Sequence, residues 1–338
     1  MKKSHFLIVG AGFAGAVCAR VLADAGHTIT IVDKRPHIGG NAYDHHDAHG
    51  ILVHPYGPHI FHTNSKKVLE FLSKYTHWRF YEHRVLACVN NELYPIPINR
   101  TTVNKVFSLD LLESEVDSFL ETKRVKRPSI KTSEDVVLSS VGYDLCEMFF
   151  RGYTKKQWNL DLSELSAGVA ARIPTRTNDD DRYFTDTYQL MPADGYGEMF
   201  RKMLDSSKIE VRLNYDFLGS RTQIPFDKLI YTGPIDAYFD YQYGRLPYRS
   251  LKFEHEYIDS DQYQSVGTVN YPNDYEYTRI TEFKHLTGQK VSGTAIVREY
   301  PTDVGDPYYP VPNQDNEMLF KKYQELTELE SNVFLLVV

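Results

Sequence analysis

Three glycines, Gly10, Gly12 and Gly15, stand at the G-x-G-x-x-G spacing that cradles a dinucleotide pyrophosphate. Gly10 permits a tight turn, Gly12 lets the pyrophosphate approach the backbone, and Gly15 lets the following helix pack on its strand. The start of that helix offers free N–H groups and the positive end of a dipole. Asp33 ends the next apolar run, where a carboxylate accepts a ribose hydroxyl and favours an unphosphorylated ribose. An ordinary Gly-rich turn is the competing explanation, but a strand before and a helix after are what the dinucleotide motif needs. The motif alone does not separate FAD from NAD.

Other chemistry-bearing residues say less by themselves. His54, His59 and His62, with His45, His46 and His49 nearby, invite a metal, yet no cysteine or H-E-x-x-H pattern accompanies them and no metal site is expected. Phe149, Tyr153 and Trp158 have near-helical spacing, as a core stripe would. Arg172 or Arg279 alone reads as a surface ion pair. The run Asp179-Asp180-Asp181 reads as a solvated turn.

The elements that position these residues follow from periodicity. Phe6–Val9 and Thr28–Val32 read as buried strands around a helix over Ala14–Ala25 that Gly26 closes, a β-α-β unit with parallel strands. Lys66–Tyr75 is amphipathic and helical. Val85–Ile98 is a hairpin turning at Asn90-Asn91. The pattern is mostly helical from Thr101 to Trp158, with Ser133 as an N-cap and Lys123–Arg127 as a solvated basic face. Small residues over Leu162–Arg176 suggest a loosely held loop. Gly197–Leu204 is a helix, and Ile209–Leu213 and Leu229–Thr232 are strands. Alternation over Arg249–Arg298 predicts an antiparallel sheet, then a helix over Glu317–Leu329 and a strand over Val333–Val338.

Composition bounds the function. A net charge of -7 argues against a general nucleic-acid or anionic-membrane binder, so an anionic ligand must be held by local arginines. Three widely spaced cysteines form no disulfide framework or zinc pattern, and a reducing cytoplasm is the expected location. No apolar run approaches a membrane span, so no membrane insertion is expected; glycines interrupt the first apolar run, against a signal peptide. The 25 tyrosines and 18 phenylalanines suit flat walls around a polar ligand.

Asp33 is followed closely by Gly39-Gly40-Asn41, a pattern that resembles the large FAD-containing group of amine oxidases and desaturases. A narrower resemblance spans nearly the whole chain. I-G-G-N-A-Y at 38–43, Y-G-P-H-I-F-H-T at 56–63, G-Y-T-K-K-Q-W at 152–158, R-I-P-T-R at 172–176, Y-T-G-P-I-D at 231–236, Y-R-S-L-K-F-E at 248–254, Y-T-R-I-T-E at 277–282 and P-Y-Y-P at 307–310 are similar, in order, to the bacterial UDP-galactopyranose mutases.

The resemblance implies an isomerase that interconverts UDP-galactopyranose and UDP-galactofuranose, for cell-surface polysaccharide, with reduced FAD and an adduct at flavin N5. It implies an α/β fold: a Rossmann-like FAD-binding domain with an inserted helical domain and an antiparallel β-sheet domain. The expected boundaries are 1–65, 190–245 and 312–338 for the first, 66–82 and 99–180 for the second, and 83–98 and 246–311 for the third.

The resemblance also implies the site. Arg172 and Arg279 would hold the UDP diphosphate, with Arg172 on a mobile lid. Phe149, Tyr153, Thr154 and Trp158 would form the uridine pocket, and Tyr183 and Tyr309 would bond phosphate. Arg249, Asn270 and His83 fall nearer the sugar. The cofactor would lie against Gly10, Gly12, Phe13, Gly15, Asp33, Lys34, Gly40, Asn41, His59 and Ile60, with His62 on the reacting side of the flavin.

Departures from the pattern bear on the sugar accepted: a segment one residue shorter between Asn270 and Arg279, Glu276 before Y-T-R, Ser166 for a lid proline, and His83 for an asparagine. A mutase of UDP-N-acetylgalactosamine or dTDP-fucose, a flavin oxidoreductase, and an inactive flavin-fold protein are the alternatives. A homodimer stays open. The run S-N-V-F-L-L-V-V at 331–338 stands where relatives continue into a flavin-capping helix and a further phosphate-binding arginine, so a shortened C-terminal segment is expected.

Overall fold

Five short apolar strands build one parallel sheet in the order Ile209–Arg212, Thr28–Val32, His5–Val9, Lys228–Tyr231, Val333–Leu335. Leu7, Ile8, Ile29 and Ile31 are wholly buried, as expected of strands covered on both faces. In the computed structural model, which describes residues 3–221 and 223–336, this sheet belongs to a compact unit of Met1–Phe80, Leu190–Leu246 and Glu317–Val338. A second unit comprises Tyr81–Gln189 and Pro247–Asn316.

In the first unit, the helix Phe13–Asp24 joins the first two strands, and its buried Ala16 and Ala19 let it lie close to the sheet. The helix Gly195–Leu204 is anchored from outside its own sequence. The buried Asp44 carboxylate accepts the N–H groups of Tyr196 at 2.6 Å and Gly197 at 2.7 Å, satisfying donors that a helix start leaves open. Gly195 is required beside it: its φ is +85° and a Cβ there would meet an Asp44 carboxylate oxygen at 2.8 Å. The expected strand over Val333–Val338 is observed over Val333–Leu335, and Val337 and Val338 lie outside the described residues.

The second unit holds a seven-stranded sheet: Tyr309–Pro310, Tyr248–Ile258, Thr294–Thr302, Arg279–Glu282, Thr268–Asn270, Val85–Val89, Glu92–Ile96. Its pairs are antiparallel except Thr268–Asn270 with Val85–Val89. The hairpin turns at Asn90-Asn91 with both φ values positive, the turn whose twist matches its strands. Val85 and Ile96 from the hairpin share one apolar core with Val103, Leu120, Leu138 and Leu145 from the helices.

Two local details differ from the sequence reading. Thr132, not Ser133, caps the helix Ser133–Leu145. Thr132 Oγ1 accepts the Asp135 N–H at 3.2 Å and the Asp135 carboxylate accepts the Thr132 N–H at 3.0 Å, while the buried Ser133 hydroxyl donates to the Ser166 carbonyl at 2.8 Å. The helical path also breaks at Gly142 (φ +78°), where a Cβ would sit 2.2 Å from the Lys123 carbonyl oxygen. A π-helical turn, Cys146–Arg151, then leads into the helix Gly152–Trp158. The basic stretch is ion-paired: Lys123 with Asp144, Arg124 with Asp117 and Glu121, Arg127 with Asp135. Among the described residues, no helix is long and apolar enough to cross a membrane.

Candidate active site

In the first unit, two glycine loops meet. The Gly10 N–H donates to the Val32 carbonyl at 2.8 Å, and a Cβ on Gly10 would fall 2.1 Å from Thr232 Oγ1. A Cβ on Gly15 would fall 1.8 Å from the Gly10 carbonyl oxygen, which is the close helix packing that the motif demands. The second loop lies on the first: Gly39 N–H donates to Ala11 O at 2.9 Å, and a Cβ on Gly40 would fall 2.9 Å from the Gly12 Cα. Gly12 caps the helix without any side chain. This bare cradle at a helix start fits a pyrophosphate.

Asp33 braces the cradle. One carboxylate oxygen accepts the Ala11 N–H at 2.8 Å and the other accepts the Arg35 N–H at 2.9 Å. Each oxygen keeps a lone pair for a ribose hydroxyl. Asn41 Oδ1 accepts from Arg35 Nη1 at 2.8 Å, and the Arg35 guanidinium lies 4.1 Å from the centre of the Tyr56 ring. Lys34 is exposed. The Phe13 ring packs against Tyr196 and Phe200, so its backbone, not its ring, is left for a phosphate. The His59 N–H donates to His54 Nδ1 at 3.2 Å and burial pushes the His59 imidazole below its ordinary range, toward neutrality. Ile60 is half-buried and His62 is exposed on the strand Phe61–Thr63.

In the second unit, Arg279 is the centre. Its cross-strand neighbours are Asn270 and Glu299. Arg279 Nη2 donates to the Tyr153 hydroxyl at 2.7 Å, and Nε lies 3.4 Å from the carboxylate of the buried Glu299. Burial works against the Arg279 charge, but Glu299 together with the Tyr153, Tyr309 and Tyr183 oxygens more than offsets it, so the guanidinium stays protonated. Burial pushes the Tyr153 and Tyr309 phenols above their ordinary range; the positive charge of Arg279 opposes this at both, and that of Arg172 at Tyr309. Tyr183 acts electrostatically on Tyr153, Tyr309 and Arg279. Tyr153 and Arg279 are thus in direct contact, Tyr183 and Tyr309 lie within electrostatic reach of both, and Arg172 lies within electrostatic reach of Tyr309. Arg172 is exposed at the end of the short helix Gly168–Ala171, within the stretch read as a loop.

Neighbouring residues build the walls. Trp158 is buried with its ring edge-on to Tyr309 at 6.0 Å, and Thr154 is buried on the same helix. His83 Nδ1 hydrogen-bonds the Tyr81 hydroxyl at 2.9 Å, and its ring lies 5.8 Å from that of Tyr183. Two expected residues are engaged with the protein. Phe149 sits in the apolar core, edge-on to Tyr94 at 5.4 Å. Arg249 is buried, donates to the carbonyls of Gln157 at 3.0 Å and Lys156 at 3.4 Å, and pairs with Asp303.

The sequence reading did not single out Glu299, Tyr81, Arg35 or Tyr56. Glu299 left a signal as the lone acid of the strand Thr294–Thr302, and Tyr56 opens one of the motifs quoted above. Protonated phenols and charged guanidinium groups, with the nearby carboxylate already paired, make a donor-rich surface suited to phosphate oxygens. Among the described residues, no group of three or more His, Cys, Asp or Glu is arranged to hold a metal ion.

The sequence profile of the UDP-galactopyranose mutase family matches residues 148–336, and that of an NAD(P)-binding Rossmann-like domain matches 8–75. A probable UDP-galactopyranose mutase of Klebsiella pneumoniae is 39% identical, covering 98% of this chain and 88% of that protein. A dTDP-fucopyranose mutase of Escherichia coli is 37% identical, covering 97% of this chain and 90% of that protein. In shape the chain is similar to a crystal structure of reduced UDP-galactopyranose mutase, with a TM-score of 0.77 at 15% identity, covering 98% of this chain and 89% of that one.

Proposed function

Because the chain belongs to the UDP-galactopyranose mutase family of sugar-nucleotide isomerases, we propose that it interconverts UDP-galactopyranose and UDP-galactofuranose, with FAD as its cofactor. The observation that carries this reading is the cluster of Arg172, Arg279, Tyr153, Tyr183 and Tyr309 in a setting where the phenols stay protonated.

Departure of UDP from the anomeric carbon builds negative charge on the diphosphate. In this reading Arg279, oriented by its pairing with Glu299, meets that charge from a fixed position, and Arg172 supplies a second guanidinium. Tyr153, whose oxygen accepts from Arg279, directs its own proton toward a phosphate oxygen. Trp158 and Thr154 supply a flat wall and a polar edge for uracil. The glycine cradle and Asp33 would hold FAD by its pyrophosphate and ribose, with Lys34, Asn41, His59, Ile60 and His62 along the rest of the cofactor. Reduced FAD, when bound, supplies an electron-rich ring nitrogen as nucleophile for the anomeric carbon. The reading carries a cytoplasmic location and a supply of galactofuranose for cell-surface polysaccharide.

Near-equal identity to a dTDP-fucopyranose mutase supports a second reading, a dTDP-sugar substrate. One experiment separates the two. The purified protein is scanned for flavin absorbance, reduced with dithionite, and given UDP-galactofuranose or dTDP-fucofuranose, with conversion followed by chromatography. Conversion of the UDP sugar is expected. Conversion of the dTDP sugar alone would replace the first reading by the second, and conversion of neither with added FAD would refute both. Arg279→Ala should lower turnover by about a hundredfold or more with the flavin spectrum intact.

A further inference from the structure

The mutase reading gives no part to Lys156. Its side chain leaves the helix Gly152–Trp158 and enters the loop between the strands Thr268–Asn270 and Arg279–Glu282. There the ammonium donates to the main-chain carbonyls of Asp274 at 3.0 Å, Tyr277 at 3.1 Å and Tyr275 at 3.3 Å, and to that of Tyr271. Carbonyl dipoles converging on one point repel one another, so this wrapping depends on the cation at its centre. The loop also includes a non-glycine residue at positive φ, Tyr275 at +59°.

Two further contacts dock the loop on the same helical stretch. Asn273 Nδ2 donates to the Met148 carbonyl at 3.0 Å. At Gly152 the approach is so close that a Cβ would meet Asn273 Oδ1 at 2.4 Å and the Pro272 carbonyl oxygen at 2.7 Å. The loop ends on Asn270 and Arg279, and the helix carries Tyr153 and Trp158. Burial makes the ammonium easier to deprotonate, with Asp274 as the opposing charge, so the site spends stability to keep a cation there.

We propose that Lys156 is a positioning residue: by gathering the Tyr271–Tyr277 carbonyls onto the helix, it sets the Arg279 guanidinium against the Tyr153 hydroxyl in the geometry that receives the UDP diphosphate. The inference rests on the diphosphate role of Arg279. Lys156 touches no substrate; it acts through the pair.

The test is a double-mutant cycle on the flavin-loaded full chain, with UDP as ligand and flavin absorbance and thermal midpoint as controls. Lys156→Met should weaken UDP binding about tenfold with flavin retained, yet less than about twofold in an Arg279→Ala background, because both changes remove one interaction. General destabilisation would give losses that multiply, and multiplied losses overturn the proposal, as does unchanged UDP affinity in folded Lys156→Met. If Lys156→Met does not fold, Gly152→Ala displaces the loop with the lysine kept; it should show the same loss and the same non-additivity with Arg279→Ala, and independent losses overturn the proposal. Unchanged UDP affinity in Arg279→Ala would refute the diphosphate reading itself and the role of Lys156 with it. Weakened binding in Arg279→Ala beside unchanged binding in Lys156→Met removes Lys156 alone.

Discussion

The Tyr153 hydroxyl accepts a hydrogen bond from Arg279 at 2.7 Å, so the one proton it owns is left to give away. The arginine thus orients the phenol as a donor, and Glu299 beneath orients the arginine through Nε at 3.4 Å. Three side chains, from a helix and two adjacent strands, act as one unit.

Removing that hydroxyl, as acceptor from Arg279 and as donor, should be visible in catalysis. Tyr153→Phe keeps the ring and its packing but deletes the hydroxyl. It should lower kcat/KM about tenfold, equivalent to about 1.4 kcal/mol of transition-state stabilisation, with little change in thermal midpoint. Equal rates for wild type and variant would remove Tyr153 from phosphate recognition.

The glycine cradle makes a separate demand on the cofactor. Gly40→Ala adds a methyl group 2.9 Å from the Gly12 Cα at a φ of +57°. Either loop must move, at a cost of about 1–3 kcal/mol in backbone strain. The variant should purify with a much reduced flavin-to-protein absorbance ratio. A ratio equal to wild type would show that the cradle does not set cofactor affinity.

Acid–base behaviour of stability should trace to Glu282 and His285. Burial pulls the Glu282 carboxyl up, but His285, the Gln264 and Tyr263 N–H groups and the Thr294 hydroxyl together hold it below its ordinary value. The Glu282 bond raises His285 against the effect of burial. The histidine contribution is fully present below about pH 6.5 and is lost as pH rises through its raised folded value. The glutamate contribution is present above about pH 4.3 and is lost as pH falls through its lowered folded value. Urea unfolding should therefore show His285→Gln destabilised by about 1 kcal/mol at about pH 5.5 and much less at about pH 8.5. An equal loss at both values would assign His285 a packing role only.

What was legible in the sequence was local. The G-x-G-x-x-G turn, its helix and its flanking strands are fixed by spacing within a few residues, and the Asn90-Asn91 hairpin declares itself by turn chemistry. The meeting of Gly12 with Gly40, by contrast, depends on how two loops stack, which no local pattern encodes. Ser133 has the residue type of a cap, but its hydroxyl donates to the Ser166 carbonyl, far along the chain. Phe149, Tyr153 and Trp158 looked like one stripe. A π-helical turn separates Phe149, which faces Tyr94, from Tyr153, which faces Arg279. Arg172 and Arg279 stand apart from the other arginines only through the ordered motifs of a family, because a lone arginine carries no mark of its partner.

The order of the parallel sheet bears on how the protein is made. Its central strand, His5–Val9, leaves the ribosome first, yet one flanking partner, Lys228–Tyr231, emerges only after the whole Tyr81–Gln189 stretch, and the edge strand Val333–Leu335 later still. Loop closure of that span is an entropic cost met before the pairing rewards it. During synthesis the nascent β-α-β unit therefore carries an unpaired strand edge, apolar from Phe6 to Val9, and that edge is where a chaperone would be needed most.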